Sequence, residues 1–136
     1  MVKEIEITVP FYDVDSMRVV YHGNYVKYLE EARCAFLLDR KMTYNDMDKL
    51  GYMFPVVEIK LKYIRPCVFG QTIVVSCILE ECENCIIFSY VIRDKNTGIK
   101  LCKAETKQMC VDMKTNESLF EIPEVIVDRL RGVVKC

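Results

Sequence analysis

From Asn24 to Arg40 the chain carries one uninterrupted helical pattern, and from Val56 to Asp112 nearly every segment alternates or runs apolar in the manner of strands. A single long helix against one long run of strands is what most limits the fold. In the helical stretch Tyr25, Tyr28, Leu29, Ala32, Phe36 and Leu37 recur at helical spacing, with no Gly or Pro between them. That period gathers them on one wide stripe, so the helix is expected to be largely buried. Gly23-Asn24 supplies its N-cap.

The flanking segments fit the same plan. Ile5 and Ile7 alternate with Glu4 and Glu6, which predicts a half-buried strand over Lys3 to Thr8. Pro10 to Arg18 breaks all periodicity. Thr43-Tyr-Asn-Asp46 resembles a capping box with Asp in place of Glu and opens a short second helix that Gly51 ends. Beyond it Val57, Ile59, Leu61 and Tyr63 alternate with Glu58, Lys60 and Lys62. Further strands are expected over Gln71 to Glu80, Cys85 to Arg93 and Ile99 to Asp112, with a hairpin turn at Asn96-Thr97-Gly98. A polar linker leads to a short amphipathic helix from Pro123 to Arg131. One buried helix with one antiparallel sheet to cover it predicts a two-layer α+β domain over residues 1–136, the sheet wrapping the helix.

Bulk properties narrow the function. The chain has 136 residues, 51% of them hydrophobic, enough for a core without staples. Its formal charge is -1 and no basic stripe is visible, which argues against a nucleic-acid partner. No stretch approaches the ~20 apolar residues of a membrane span. Met1-Val2-Lys3-Glu4 runs straight into the first strand and leaves no room for a signal peptide, so a cytoplasmic location is expected. The eight cysteines lie mostly in apolar runs, as in Ser76-Cys77-Ile78-Leu79, and read as reduced core residues. Cys82-Glu83-Asn84-Cys85 has metal or redox spacing but no second close pair, and it falls at an expected turn; no metal is expected.

The segment between the first strand and the long helix, Phe11 to Arg33, holds the chemistry. Asp13 and Asp15 stand just before a loop, and His22, the only histidine, stands at the helix start. A helix N-terminus offers unpaired N–H groups and the positive end of the macrodipole, which together stabilise an oxyanion forming on a carbonyl. A carboxylate across from it can attack that carbonyl or activate water. The same residues are also ordinary turn and cap formers, so spacing alone leaves both readings open.

Asp13-x-Asp15, then Val19-Val20-Tyr21-His22-x-Asn24-Tyr25 and Glu30-x-Ala32-Arg33, resembles the motif of the 4-hydroxybenzoyl-CoA thioesterase family, in particular its YbgC-type acyl-CoA thioesterase branch. The similarity continues through Gly51-Tyr52-Met53-Phe54-Pro55-Val56-Val57-Glu58 and Tyr63-Ile64-Arg65-Pro66, to about Asp112. The resemblance implies the hotdog fold and hydrolysis of an acyl-CoA thioester. It implies no cofactor, CoA being part of the substrate. Asp15 matches the catalytic carboxylate and Asp13 the structural acid of the pair. His22 matches the motif's histidine, where the family turns a backbone N–H to the thioester carbonyl. Tyr21, Gly23, Asn24 and Tyr25 then shape the acyl pocket or the helix seat. Glu30 and Arg33 read as an ion pair one turn apart. Arg18 stands where the branch carries Gly, a residue that permits positive φ or close approach to a ligand; Arg there reshapes the loop, meets an anionic group or points to solvent. Arg65, Arg93, Lys95, Lys100 and Lys103 are candidates for the CoA phosphates. The resemblance further implies a homo-oligomer, dimer or tetramer, with Phe54, Pro55 and Val56 of one chain beside Asp15 of another. Two other readings use the same residues: hydrolysis of an acyl group on a carrier protein, and a non-catalytic module that binds acyl thioesters.

Overall fold

The computed structural model describes residues 2–132. Cys136, the eighth cysteine, lies outside them. Strand β1 spans Val2–Thr8, helix α1 Asn24–Asp39 and helix α2 Tyr44–Leu50. The strands β2 (Tyr52–Met53), β3 (Val56–Tyr63), β4 (Thr72–Glu81), β5 (Ile86–Asp94), β6 (Lys100–Gln108), β7 (Cys110–Asp112) and β8 (Glu117–Leu119) follow, and helix α3 takes Glu124–Leu130. Five strands form an antiparallel sheet in the order β1-β4-β5-β6-β3, and β2-β7-β8 form a small second sheet. This is the α+β hotdog arrangement expected from the sequence.

The helical stripe is buried as its period requires: Tyr25, Tyr28, Leu29, Ala32, Phe36 and Leu37 all lie in the core. They face the alternate residues Ile73, Val75 and Cys77 of β4 and Ile86, Phe88, Tyr90 and Ile92 of β5. Phe36 meets Phe88 edge to face at 5.2 Å. Each such side chain, fully buried, contributes roughly 1.5–3 kcal/mol. The capping box is complete, with Asp46 N donating to Thr43 Oγ1 and Thr43 N donating to Asp46 Oδ2. Gly51 ends α2 in the left-handed conformation at φ 96°.

Three features differ from expectation. The last strand is two: at Met109 the chain leaves the large sheet, and Cys110–Asp112 pairs with Tyr52–Met53 instead. β2 and β8 were too short to show a period. Gly23 caps α1 without a side-chain bond, because the Asn24 amide donates to Asp13 O at 2.9 Å.

Helix α1 packs mainly on β1 and β4, at one side of the sheet. β3, at the far edge, is left uncovered. Val56, Ile59 and Tyr63 pair in register with Gln108, Thr106 and Cys102, whose side chains face the helix layer, yet they remain 37%, 40% and 47% exposed. Among the described residues no helix is long and apolar enough to cross a membrane.

Candidate active site

The loop before α1 is a tight hairpin. Val14 bridges Val20, Asp15 N donates to Val19 O at 2.9 Å, and Arg18 N donates to Asp15 O at 2.9 Å. That is a three-residue hairpin loop, whose last loop residue takes the left-handed conformation. Arg18 does so, at φ 65°. The position therefore calls for glycine on backbone grounds, and the arginine bears the strain of its Cβ. The far side of the hairpin is held by Val19 bridging Val68 and by Val20 N donating to Cys67 O.

The two aspartates have opposite environments. Asp13 is 2% exposed. Its carboxylate accepts from Lys27 Nζ and, at 2.7 Å, from Tyr28 Oη. Its carbonyl accepts from Tyr21 N and from the Asn24 amide. Every acceptor of Asp13 is thus engaged in seating the helix. Asp15 is exposed. One carboxylate oxygen accepts from Met17 N at 2.8 Å, and the other has no donor among the described residues. Asp13 is the structural member and Asp15 the one open to a ligand.

At the helix start Asn24 N donates to Tyr21 O and Tyr25 N to His22 O. The N–H groups of His22 and Gly23 have no acceptor among the described residues, and they stand at the positive end of α1. The Tyr21 ring lies against the His22 ring at 4.3 Å. A Cβ on Gly23 would fall 2.9 Å from Tyr21 Cε1, so this glycine is small to admit the ring. Tyr25 is buried and its hydroxyl accepts from Cys67 N at 3.1 Å; it seats the helix. Burial raises its pKa. Beside this turn opens a cavity of about 240 Å³ lined by Val20, His22, Tyr25, Tyr63, Ile64, Arg65 and Pro66.

The fold therefore unites His22, Tyr25 and Arg65 in one lining, with Tyr21, Gly23 and Asn24 in the same turn. Phe54 is packed into its own core at 6% exposure, while Pro55 and Val56 are exposed at the edge. The Glu30–Arg33 ion pair is corrected. Arg33 turns inward, 8% exposed, and donates to the hydroxyls of Tyr44 at 2.6 Å and Tyr90 at 3.4 Å, while Glu30 faces outward. The stripe is wide enough that position 33 falls on its buried margin. Lys27 and Tyr63 escaped the sequence reading. Lys27 falls in the gap between the Tyr25 and Glu30 pieces of the motif, where a lysine reads as surface, and only the fold brings Tyr63 Oη to within 3.4 Å of His22 O. Of the phosphate candidates, Lys95 is engaged with Glu6 at 3.1 Å. Cys82 and Cys85 flank the β4–β5 turn, both buried, and burial raises their pKa values.

A sheet wrapped on one helix, with open N–H groups at the helix start and a carboxylate with one free oxygen among the described residues on the adjoining hairpin, defines a hotdog-fold thioester hydrolase. The sequence model of the thioesterase-like superfamily matches residues 9–130, and the chain belongs to that family. It is 33% identical to the Bacillus subtilis protein YneP over 115 residues, 84% of this chain and 83% of that one. It is 29% identical to the Helicobacter pylori acyl-CoA thioesterase YbgC, over 89% of this chain and 94% of that one. The crystal structure of the Synechocystis 1,4-dihydroxy-2-naphthoyl-CoA thioesterase Slr0204 superposes with a TM-score of 0.88 over 98% of both chains at 17% identity.

Proposed function

We propose that the protein hydrolyses an acyl-CoA thioester in the cytoplasm, with Asp15 as base or nucleophile. The observation that carries this reading is an exposed Asp15 carboxylate with one oxygen free of donors among the described residues, on the hairpin that leads into the turn where the His22 and Gly23 N–H groups have no acceptor among them. The thioester carbonyl oxygen accepts from those N–H groups, whose attraction grows as the oxygen becomes negative. Asp15 takes a proton from water as the water oxygen adds to the carbonyl carbon, or its own carboxylate adds there to give, on loss of CoA, an acyl-aspartate anhydride that water hydrolyses to the free acid and the restored carboxylate. The C–S bond then breaks, CoA leaves as a thiolate that gains a proton, and the free acid remains. Tyr63 and Arg65 line the cavity beside His22, and the Tyr21 ring packs against that histidine. No metal or redox group enters this chemistry.

The site is completed by a second copy of the chain. β3 has no strand on its outer side among the described residues and carries an apolar inner face, which needs a partner. Edge-to-edge pairing covers it and brings the Pro55-Val56 entry of one chain towards Asp15 of the other, two sites per dimer. Sedimentation at micromolar concentration is expected to show a dimer or tetramer, and a charged residue at Val56 to weaken it. A fully active monomer overturns this part.

One observation bears on whether the acyl group arrives on CoA or on a carrier protein. The register sets Lys62 opposite Lys103 and Arg93 opposite Lys100 on the face away from α1. None of these four cations has a carboxylate partner among the described residues. Lys103 and then Arg93 lower the pKa of Lys100. Such a cluster suits the CoA phosphates or an acidic protein equally. Turnover of matched acyl-CoA and acyl-carrier substrates, with Asp15→Asn as control, decides between them. Hydrolysis of neither removes the enzyme reading.

A further inference from the structure

A hydrogen bond ties the far edge of the sheet to the turn that starts α1. Tyr63 Oη, at the end of β3, donates to His22 O at 3.4 Å, across 41 residues of sequence. The acceptor matters because of the peptide it belongs to. His22 C=O and Gly23 N–H are the two ends of one planar peptide unit, and in a trans unit they point in opposite directions. Whatever holds the carbonyl therefore aims the N–H. That N–H is one of the two at this turn without an acceptor among the described residues. The turn's own hold on the carbonyl is long, Tyr25 N reaching His22 O at 3.3 Å. Gly23, with no Cβ, restrains its own backbone less than any other residue would. A second donor on the carbonyl adds the restraint that the turn lacks.

Tyr63 is itself held in place. Its ring packs edge to face on Tyr25 at 4.9 Å and forms part of the wall of the cavity beside His22. Directly after it the N–H groups of Ile64 and Arg65 both donate to Leu101 O, which pins the end of β3. Burial raises the pKa of the phenol, so the hydroxyl stays a donor well into alkaline pH. Its hydrogen is committed to the His22 carbonyl and does not reach a substrate. The effect passes through the peptide in two ways. One is direction. The other is polarisation, since a carbonyl that accepts a bond makes the N–H at the other end of its peptide a stronger donor. Both count for more as negative charge collects on the oxygen that the N–H holds, so they favour the transition state over the bound substrate.

We propose that Tyr63 is a positioning residue, which aims and strengthens the Gly23 N–H towards the thioester oxygen by holding the His22 carbonyl. This rests on the thioesterase reading, and the test separates the two. Tyr63→Phe removes the hydroxyl and keeps the ring. The substrate is whichever of butanoyl-, decanoyl- and benzoyl-CoA the wild type cleaves fastest. Its single-turnover rate at saturation is expected to fall about three- to tenfold in Tyr63→Phe, the worth of one neutral hydrogen bond. The half-saturating concentration and the melting temperature stay unchanged, as for an interaction made in the transition state. Tyr63→Leu, which removes the ring as well, raises the half-saturating concentration too. Phe at this position thus restores binding but not rate, whereas a Tyr63 that only packs would let Phe restore both. Amide spectra of isotope-labelled protein read the bond without turnover. Among the amides of Tyr21 to Tyr25, that of Gly23 is expected to shift most between wild type and Tyr63→Phe. An active wild type with an equally fast Tyr63→Phe, or a Gly23 amide that does not move, overturns the proposal and leaves the thioesterase reading standing. A wild type that cleaves none of these thioesters overturns both.

Discussion

The two ends of α1 are built by different means. At its start, Asp13, Asp15, Tyr21, His22 and Asn24 come from a dozen consecutive residues, the hydrogen bonds are local, and the carboxylate and N–H groups that matter face outward. In its second half, Arg33 donates to Tyr44 and Tyr90, which bond in turn to Gln108 and Thr106; three separate segments, α2, β5 and β6, deliver these four, and everything faces inward. The first end leaves its polar groups open because a reacting atom must reach them. The second encloses polar groups that packing alone would have replaced by apolar ones, since a buried charge without its full complement is weak evidence for stability.

The largest expected effect lies at the open end. Asp15→Asn keeps the shape and the bond from Met17 N but removes the negative charge. At least ~100-fold is expected to be lost from kcat, the lower end of a general-base contribution, with an unchanged melting temperature. His22→Ala should be damaged less, because the role assigned there belongs to its backbone N–H. If His22→Ala proves the deader enzyme, the side chain carries the chemistry and the contrast between the two positions must be redrawn.

Asp13→Ala tests the same contrast from the other side. Its carboxylate is buried, and removal strands Tyr28 Oη and half-exposed Lys27. Bonds to a charged group contribute about 1.5–3 kcal/mol, so urea unfolding should show a loss of roughly 2–3 kcal/mol. Any loss of turnover should follow the loss of folded protein. A stable, inactive Asp13→Ala would mean that both acids belong to the reaction.

This contrast also explains what could be read from the sequence. Periodicity marked α1 and the long strands because each buries one face, and the hairpin acids were legible because site and segment coincide. Arg33 was misread because the i,i+3 rule sees only one helix, whereas its partners arrive through the register of β5 and β6 and the placement of α2. β2 and β8 went unseen because two or three residues carry no period. The exposure of β3 is likewise a property of where α1 lies on the sheet, not of the β3 sequence, whose alternation promised an ordinary half-buried strand.

The smallest effect is expected at Arg18, where the open end departs from its own backbone requirement. A left-handed residue other than glycine costs roughly 1–2 kcal/mol. Glycine would relieve that cost but enlarge the unfolded ensemble by about 0.4–1 kcal/mol. Arg18→Gly should therefore stabilise the protein slightly, by about 0.5–1 kcal/mol, seen as a small rise in the midpoint of urea unfolding. The side chain is exposed and cationic, three residues past an aspartate assigned to the reaction. If strain is retained for the sake of an anionic substrate group, the stabilised variant should show a several-fold higher KM at unchanged kcat, and the difference should shrink as salt is raised. If KM does not move, Arg18 serves no substrate and the hairpin is strained without return. If the midpoint falls instead, Arg18 makes a stabilising contact that outweighs its backbone cost, and the strain argument at this end of the helix fails.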